Sequence, residues 1–232
     1  LSERRLLIVN ADDLGLSPGV NAGIFEAHER GIVTSASLMV RASAAAEAVA
    51  TVGEHPQLAV GLHLDIAEWR YEDGEWRLNY ERCPPEDAAV VEAECRAQLV
   101  AFRELTGRDP THLDSHQHTH MSDPVASVAA GLAAELAVPL RARGIRYEGG
   151  FYGQTGKGEP YPAGIAPQHL VELIEALLPG PTEIGCHPGI GGDARSSYQS
   201  ERELEVRALC DPRVRAAIER GAIELRSFAQ LP

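Results

Sequence analysis

The chain has 232 residues, 44% hydrophobic and 24% charged, the balance of an ordinary soluble globular protein, and its length suits one domain, 1–232, with a sizeable core. Its formal charge of −13 argues against nucleic acid or an anionic membrane as the main partner, because either would need a basic patch. No run of roughly 18 apolar residues occurs and no charged-then-apolar leader opens the chain, so a soluble, cytoplasmic protein without membrane insertion is expected.

In chain order, "RRLLIVNADD" reads as a buried strand. "LSPGVNAGIFEAHERG" then starts a helix with Ser17 as cap and Pro18 in the first turn, and Gly31 stops it. The unit recurs: "IVTSASLMV" is strand-like, "ASAAAEAVATVGEHP" is helical up to Pro56, and "LAVGLHLDI" is a short apolar run. Residues 67–85 break the alternation and hold both tryptophans, Trp69 and Trp76. This stretch reads either as a loop folded over the core or as a lid or sugar-stacking surface.

A long amphipathic helix follows from Glu86 to Leu105, ended by Gly107, and "PTHLDSH" begins another strand. "DPVASVAAGLAAELAV" is helical, and the Gly- and Pro-rich "LRARGIRYEGGFYGQTGKGEPYP" reads as an irregular excursion. "APQHLVELIEALLP" is a helix, "TEIGCHPG" a strand with its loop, and the tail supplies two helices and a last strand. Such alternation predicts an α/β fold with a parallel sheet and crossover helices. The four cysteines are scattered without C-x-x-C spacing and read as reduced thiols.

Four of the nine histidines, His112, His116, His118 and His120, fall within "THLDSHQHTH". Their position matters more than their number. Asp12 and Asp13 follow the first strand, His63 lies near the end of "LAVGLHL", Asp114 and His116 end "THLDSH", and His187 follows "TEIGC". All stand at the C-terminal ends of predicted strands, the face on which parallel α/β folds build their sites. Taken singly, each has a bland reading as a turn, a core histidine or a solvated loop. Taken together they suggest one site, since a carboxylate and two imidazoles form a familiar set for a divalent ion.

The segments "LLIVNADDLGLSPGVNAGIFEAHERGIVTSASLMV", "VGLHL", "THLDSHQHTH" and "IGCHPG" resemble, in order and spacing, the YdjC-like carbohydrate deacetylases, the family that includes chitooligosaccharide deacetylase and the hopanoid-biosynthesis protein HpnK. The resemblance runs from about residue 4 to the end. It implies an irregular (β/α) TIM-like barrel, a divalent metal and removal of an N-acetyl group from an amino sugar. By the same resemblance, Asp13, His63 and His116 are the metal ligands, Asp12 the general base, and His187 the second acid–base or oxyanion-side residue. A homodimer is also plausible from it. Gln117 stands where many relatives have His, and Leu14 where they have Phe; the segment after "CHPG" and the tryptophan-bearing connection also depart, which leaves the sugar open.

Asp114 then reads as a carboxylate behind a liganding imidazole or as a cap on the strand-end turn. His118 and His120 read as substrate contacts, residues behind the ligands or loop structure, and His112 as structural. The ligand set accepts zinc, iron, manganese, cobalt or nickel; Mg²⁺ prefers oxygen donors, although the family is often assigned it. Two rivals stand beside deacetylation: another metal hydrolase acting on an amide, ester or phosphoester, and a non-catalytic sugar-binding module.

Overall fold

In the computed structural model, residues 4–194 and 196–231 are described. The strands are β1 (Arg5–Leu14), β2 (Ser35–Leu38), β3 (Ala59–Leu64), β4 (Ala67–Glu72), β5 (Glu75–Glu81), β6 (Leu113–Ser115), β7 (Arg146–Glu148), β8 (Gly180–Cys186) and β9 (Glu224–Leu225). The α-helices are α1 (Pro18–Glu29), α2 (Ala45–Val52), α3 (Ala88–Thr106), α4 (Val125–Leu136), α5 (Pro167–Glu175), α6 (Ser200–Leu209) and α7 (Pro212–Arg220). Helix starts follow their caps: Ser17 accepts from the Val20 N–H, Asp87 from Ala89 and Val90, and Asp211 from Arg213. Gly107 closes α3 in the left-handed conformation at φ 70°.

The main sheet runs in the order β6-β3-β2-β1-β8-β7, with every pairing parallel. Strand β9 pairs with the first half of β1, at Leu6 and Leu7, beside the point where β2 begins pairing at Asn10. The sheet curls into a half-barrel, and a single side chain shows how far. β6 and β8 lie four strand spacings apart, roughly 19 Å if flat. Yet the Nη2 of Arg141 lies 2.8 Å from Asp114 on β6 and 2.7 Å from Glu183 on β8. The expected α/β, TIM-like architecture is therefore the observed one.

Two glycines permit the curl to be filled. A Cβ on Gly61 of β3 would meet the His112 ring at 2.4–2.6 Å, and one on Gly185 of β8 would lie 2.7 Å from the Tyr147 hydroxyl. His112 is fully buried and stacks on Phe228 at 3.9 Å between ring centroids, which bears out its structural reading. Two segments differ from expectation. Of residues 67–85, those from 67 to 81 form an antiparallel hairpin, β4–β5, because their apolar and polar residues alternate with a turn at Asp73-Gly74. The excursion after Leu140 contains β7, whose three residues are too few to leave a period in the sequence.

Candidate active site

Consecutive residues of a strand point to opposite faces, so Asp12 and Asp13 should diverge. They do not. Asp13 takes a left-handed φ of 67° and the pairing of β1 with β2 shifts register between Ala11 and Leu14, so both carboxylates line one cavity. That cavity, about 730 Å³, opens at the C-terminal ends of the strands and is also lined by His63, Glu68, Trp69, His116, His118 and His187.

Asp13, His63 and His116 converge. Asp13 Oδ1 lies 3.1 Å from His116 Nδ1 and 3.5 Å from His63 Nε2. Donors about 2.0–2.1 Å from a zinc-type ion stand roughly 3.3 Å apart, so these spacings suit a shared divalent ion. His63 turns its other nitrogen to Asp114 at 2.8 Å, which fixes the ring. Asp13 Oδ2 is taken by Arg202 at 2.6 Å, leaving Oδ1 for the cluster.

The electrostatics agree with a place for positive charge. Burial opposes a cation on His63, but Asp114 and Asp13 outweigh it and raise the imidazole well above its usual range. His116, likewise buried, is lifted to about 9 by the neighbouring carboxylates of Asp13 and Glu68. Burial opposes the charge on Asp13, and Arg202 with the two imidazoles still holds it well below the ordinary carboxylate range. A second cluster, Asp12, His63 and Asp114, has similar spacing. It suits a metal poorly, because Arg141 already holds both carboxylates, at 2.6 Å from Asp12 and 2.8 Å from Asp114.

Asp12 accepts two bonds from Arg141, at 2.6 and 2.7 Å, and a third from Asn10 at 2.9 Å. Burial works against its charge, and Arg141 wins, so Asp12 sits below the usual carboxylate range. Its Oδ2 lies 3.8 Å from His187 Nε2. Burial pushes His187 down to about 4, which leaves it a neutral imidazole at neutral pH. Its backbone is clamped from both sides: Glu205 accepts its N–H, and Arg202 donates to its carbonyl at 3.3 Å.

A family model described as YdjC-like protein matches residues 6–220. The chain belongs to the YdjC-like family. It is 33% identical to a carbohydrate deacetylase of Geobacillus stearothermophilus over 97% of this chain and 98% of that protein. It is 30% identical to a chitooligosaccharide deacetylase of Serratia marcescens, covering 98% and 99%. Among solved structures, one from Enterococcus faecalis V583 described as a cellobiose-phosphate cleavage protein superposes with a TM-score of 0.81 at 26% identity, covering 97% and 98%.

Within this YdjC-like site the remaining expected residues separate. Asp114 is fully buried and does not line the cavity: it is spent on His63, Arg141, Asn10 and Ser37. After β6 the chain enters a 3-10 turn, His116–Met121, in which Gln117 and His118 are left-handed. That turn swings His118 to the cavity, 3.3 Å from the Tyr147 hydroxyl, whereas His120 lies behind it against Ser115 and does not line the cavity. Burial pushes both imidazoles down to about 4.

Sequence reasoning missed Arg141, Arg202 and Glu68. Arg141 sits in the irregular "LRARG" and Arg202 in the charged tail, where no motif separates either from a surface arginine. Glu68 had one usable signal, its place beside Trp69. No helix among the described residues is long and apolar enough to cross a membrane.

Removing Arg141 tests this wiring. Arg141→Met should destabilise the protein by about 3–5 kcal/mol at pH 7, read from urea unfolding, because Asp12, Asp114 and Glu183 lose their shared cation. Without it Asp12 and Asp114 rise above their unfolded pKa values and Glu183, already raised to about 7 by burial, rises further, so they cost stability at neutral pH and the cost fades as they protonate. The deficit should therefore shrink towards pH 5.

Proposed function

We propose that the chain is a metal-dependent hydrolase that removes an N-acetyl group from an amino sugar and releases acetate. The observation that carries this reading is the meeting, in one cavity, of the Asp13–His63–His116 donor cluster with the Asp12–His187 pair. The relatives named above as carbohydrate and chitooligosaccharide deacetylases support it. Asp13, His63 and His116 would hold the ion, and two nitrogen donors favour zinc or a similar metal over Mg²⁺. Once bound, the ion would polarise the acetyl carbonyl and make water a better nucleophile.

The chain's own groups would manage the protons. Asp12, ionised and aimed by Arg141 and Asn10, accepts the proton of the attacking water. His187 is neutral before reaction, so it can protonate the leaving amine only after receiving a proton, and Asp12 at 3.8 Å is placed to supply one. The clamps from Glu205 and Arg202 keep the ring on that line. Trp69, Trp76, Tyr147 and Tyr152 give the cavity aromatic walls of the kind on which sugar rings pack.

A phosphoester substrate fits less well. Asp12, Asp13 and Glu68 put three carboxylates on the cavity wall. Among the described lining residues Arg202 is the one guanidinium, and it is committed to Asp13. A neutral acetamido group avoids the repulsion that a phosphate dianion would meet.

The direct test is acetate release from a panel running from N-acetylglucosamine through diacetylchitobiose to N-acetylated glycolipid and glycopeptide sugars, with chelator and metal add-back. Acetate should disappear on chelation and return with metal. Turnover of an ester or phosphoester, with no acetate from any N-acetyl sugar, would reject the reading. Asp12→Asn and His187→Ala should each cut turnover on the order of 10²–10⁴-fold while leaving bound metal, measured by elemental analysis, unchanged. A variant that loses its metal would remove that residue from the proton path.

A further inference from the structure

We propose that Glu68 is the positioning carboxylate for His116, so that the β4–β5 hairpin completes the metal centre as well as walling the cavity. The inference rests on the metal-centre reading above and concerns how that centre is held. The two liganding imidazoles are built alike. Each turns one nitrogen to Asp13, and each has a carboxylate on its other side: Asp114 on Nδ1 of His63 at 2.8 Å, and Glu68 Oε2 on Nε2 of His116 at 3.5 Å. Asp114 comes from the barrel and Glu68 from the hairpin. His116 Nε2 is a buried nitrogen without a hydrogen-bond partner, so the carboxylate that faces it has an unmet donor to receive when Nδ1 is engaged.

Glu68 is aimed there by its own supports. Its Oε1 accepts from Asn79 at 3.1 Å and from Arg70 at 3.3 Å, which leaves Oε2 for the imidazole. Asn79 is the extra residue of a β-bulge, since Glu68 pairs with Tyr80 while Trp69 pairs with Leu78. In an unbroken strand Glu68 and Trp69 would face opposite ways; beside the bulge both line the cavity.

The hairpin is also seated firmly enough to hold a ligand in place. The Gln117 side chain accepts from the Trp69 N–H and donates to the Trp69 carbonyl, both at 2.8 Å, joining β4 to the turn that carries His116. At its base, Asp65 accepts from Tyr80 at 2.9 Å and Arg82 at 3.0 Å. The hairpin is thus tied to the metal-binding turn by the residue next to Glu68.

The test is Zn²⁺ affinity of the metal-stripped protein without substrate, by competition with a chromophoric chelator. Glu68→Ala should weaken binding on the order of 10–100-fold. The isosteric Glu68→Gln, which keeps an acceptor oxygen, should lose less. Trp76→Ala, at the far end of the hairpin, should bind Zn²⁺ as the wild type does. Wild-type affinity in Glu68→Ala, or in Glu68→Gln should the alanine variant not fold, would overturn the proposal and leave the metal centre standing. An equal loss in Trp76→Ala would assign the effect to hairpin seating and also overturn it. A wild-type protein that binds no metal would overturn both readings.

Discussion

The polar centre beneath the cavity is organised around one buried guanidinium. Arg141 is fully buried and reaches Asp12 on the first strand, Asp114 on β6 and Glu183 on β8. Stripping a cation of water is costly, and only closely placed carboxylates repay it. The sheet must therefore curl until those three strands converge, and the curl sets the width of the cavity above them. The charges also come close to balance: Arg141 and the positive charge that Asp114 and Asp13 favour at His63 face Asp12 and Asp114, both held below the usual carboxylate range, while burial pushes Glu183 up to about 7 against the pull of Arg141. The same contact links shape to chemistry, because it fixes the carboxylate assigned as base.

Two breaks in regular strand geometry then concentrate function. At the end of β1, the left-handed Asp13 brings adjacent aspartates onto one cavity; opposite β4, the bulge at Asn79 of β5 does the same for Glu68 and Trp69. In each case one residue belongs to or faces the Asp13–His63–His116 cluster and its neighbour lines the cavity beside it. The strain of a non-glycine residue at φ 67° is held by its surroundings, here Arg202 on one oxygen and two imidazoles on the other.

Much of this was legible in the sequence. The alternation of apolar runs with capped helices gives the parallel sheet, and the polar residues that the sequence puts at strand ends, Asp12, Asp13, His63, His116 and His187, all line one cavity. Arg141, Arg202 and Glu68 were not legible, since their meaning lies in contacts spanning many residues, as between Arg202 and Asp13. Nor could spacing alone sort the histidines of "THLDSHQHTH". His112 is stacked in the core, His116 faces the cluster, His118 the cavity and His120 a serine, and it is the left-handed pair Gln117 and His118 that divides them.

The central claim is that one divalent ion belongs to Asp13, His63 and His116, with Arg141 reserving the neighbouring carboxylates for other work. Anomalous diffraction from crystals grown with Zn²⁺, collected on both sides of the zinc edge, tests it directly. The account predicts a single interior peak bounded by Asp13 Oδ1 and the imidazoles of His63 and His116, with the Arg141 contacts to Asp12 and Asp114 intact. A peak among Asp12, His63 and Asp114 with Arg141 displaced, or no interior peak, would contradict it.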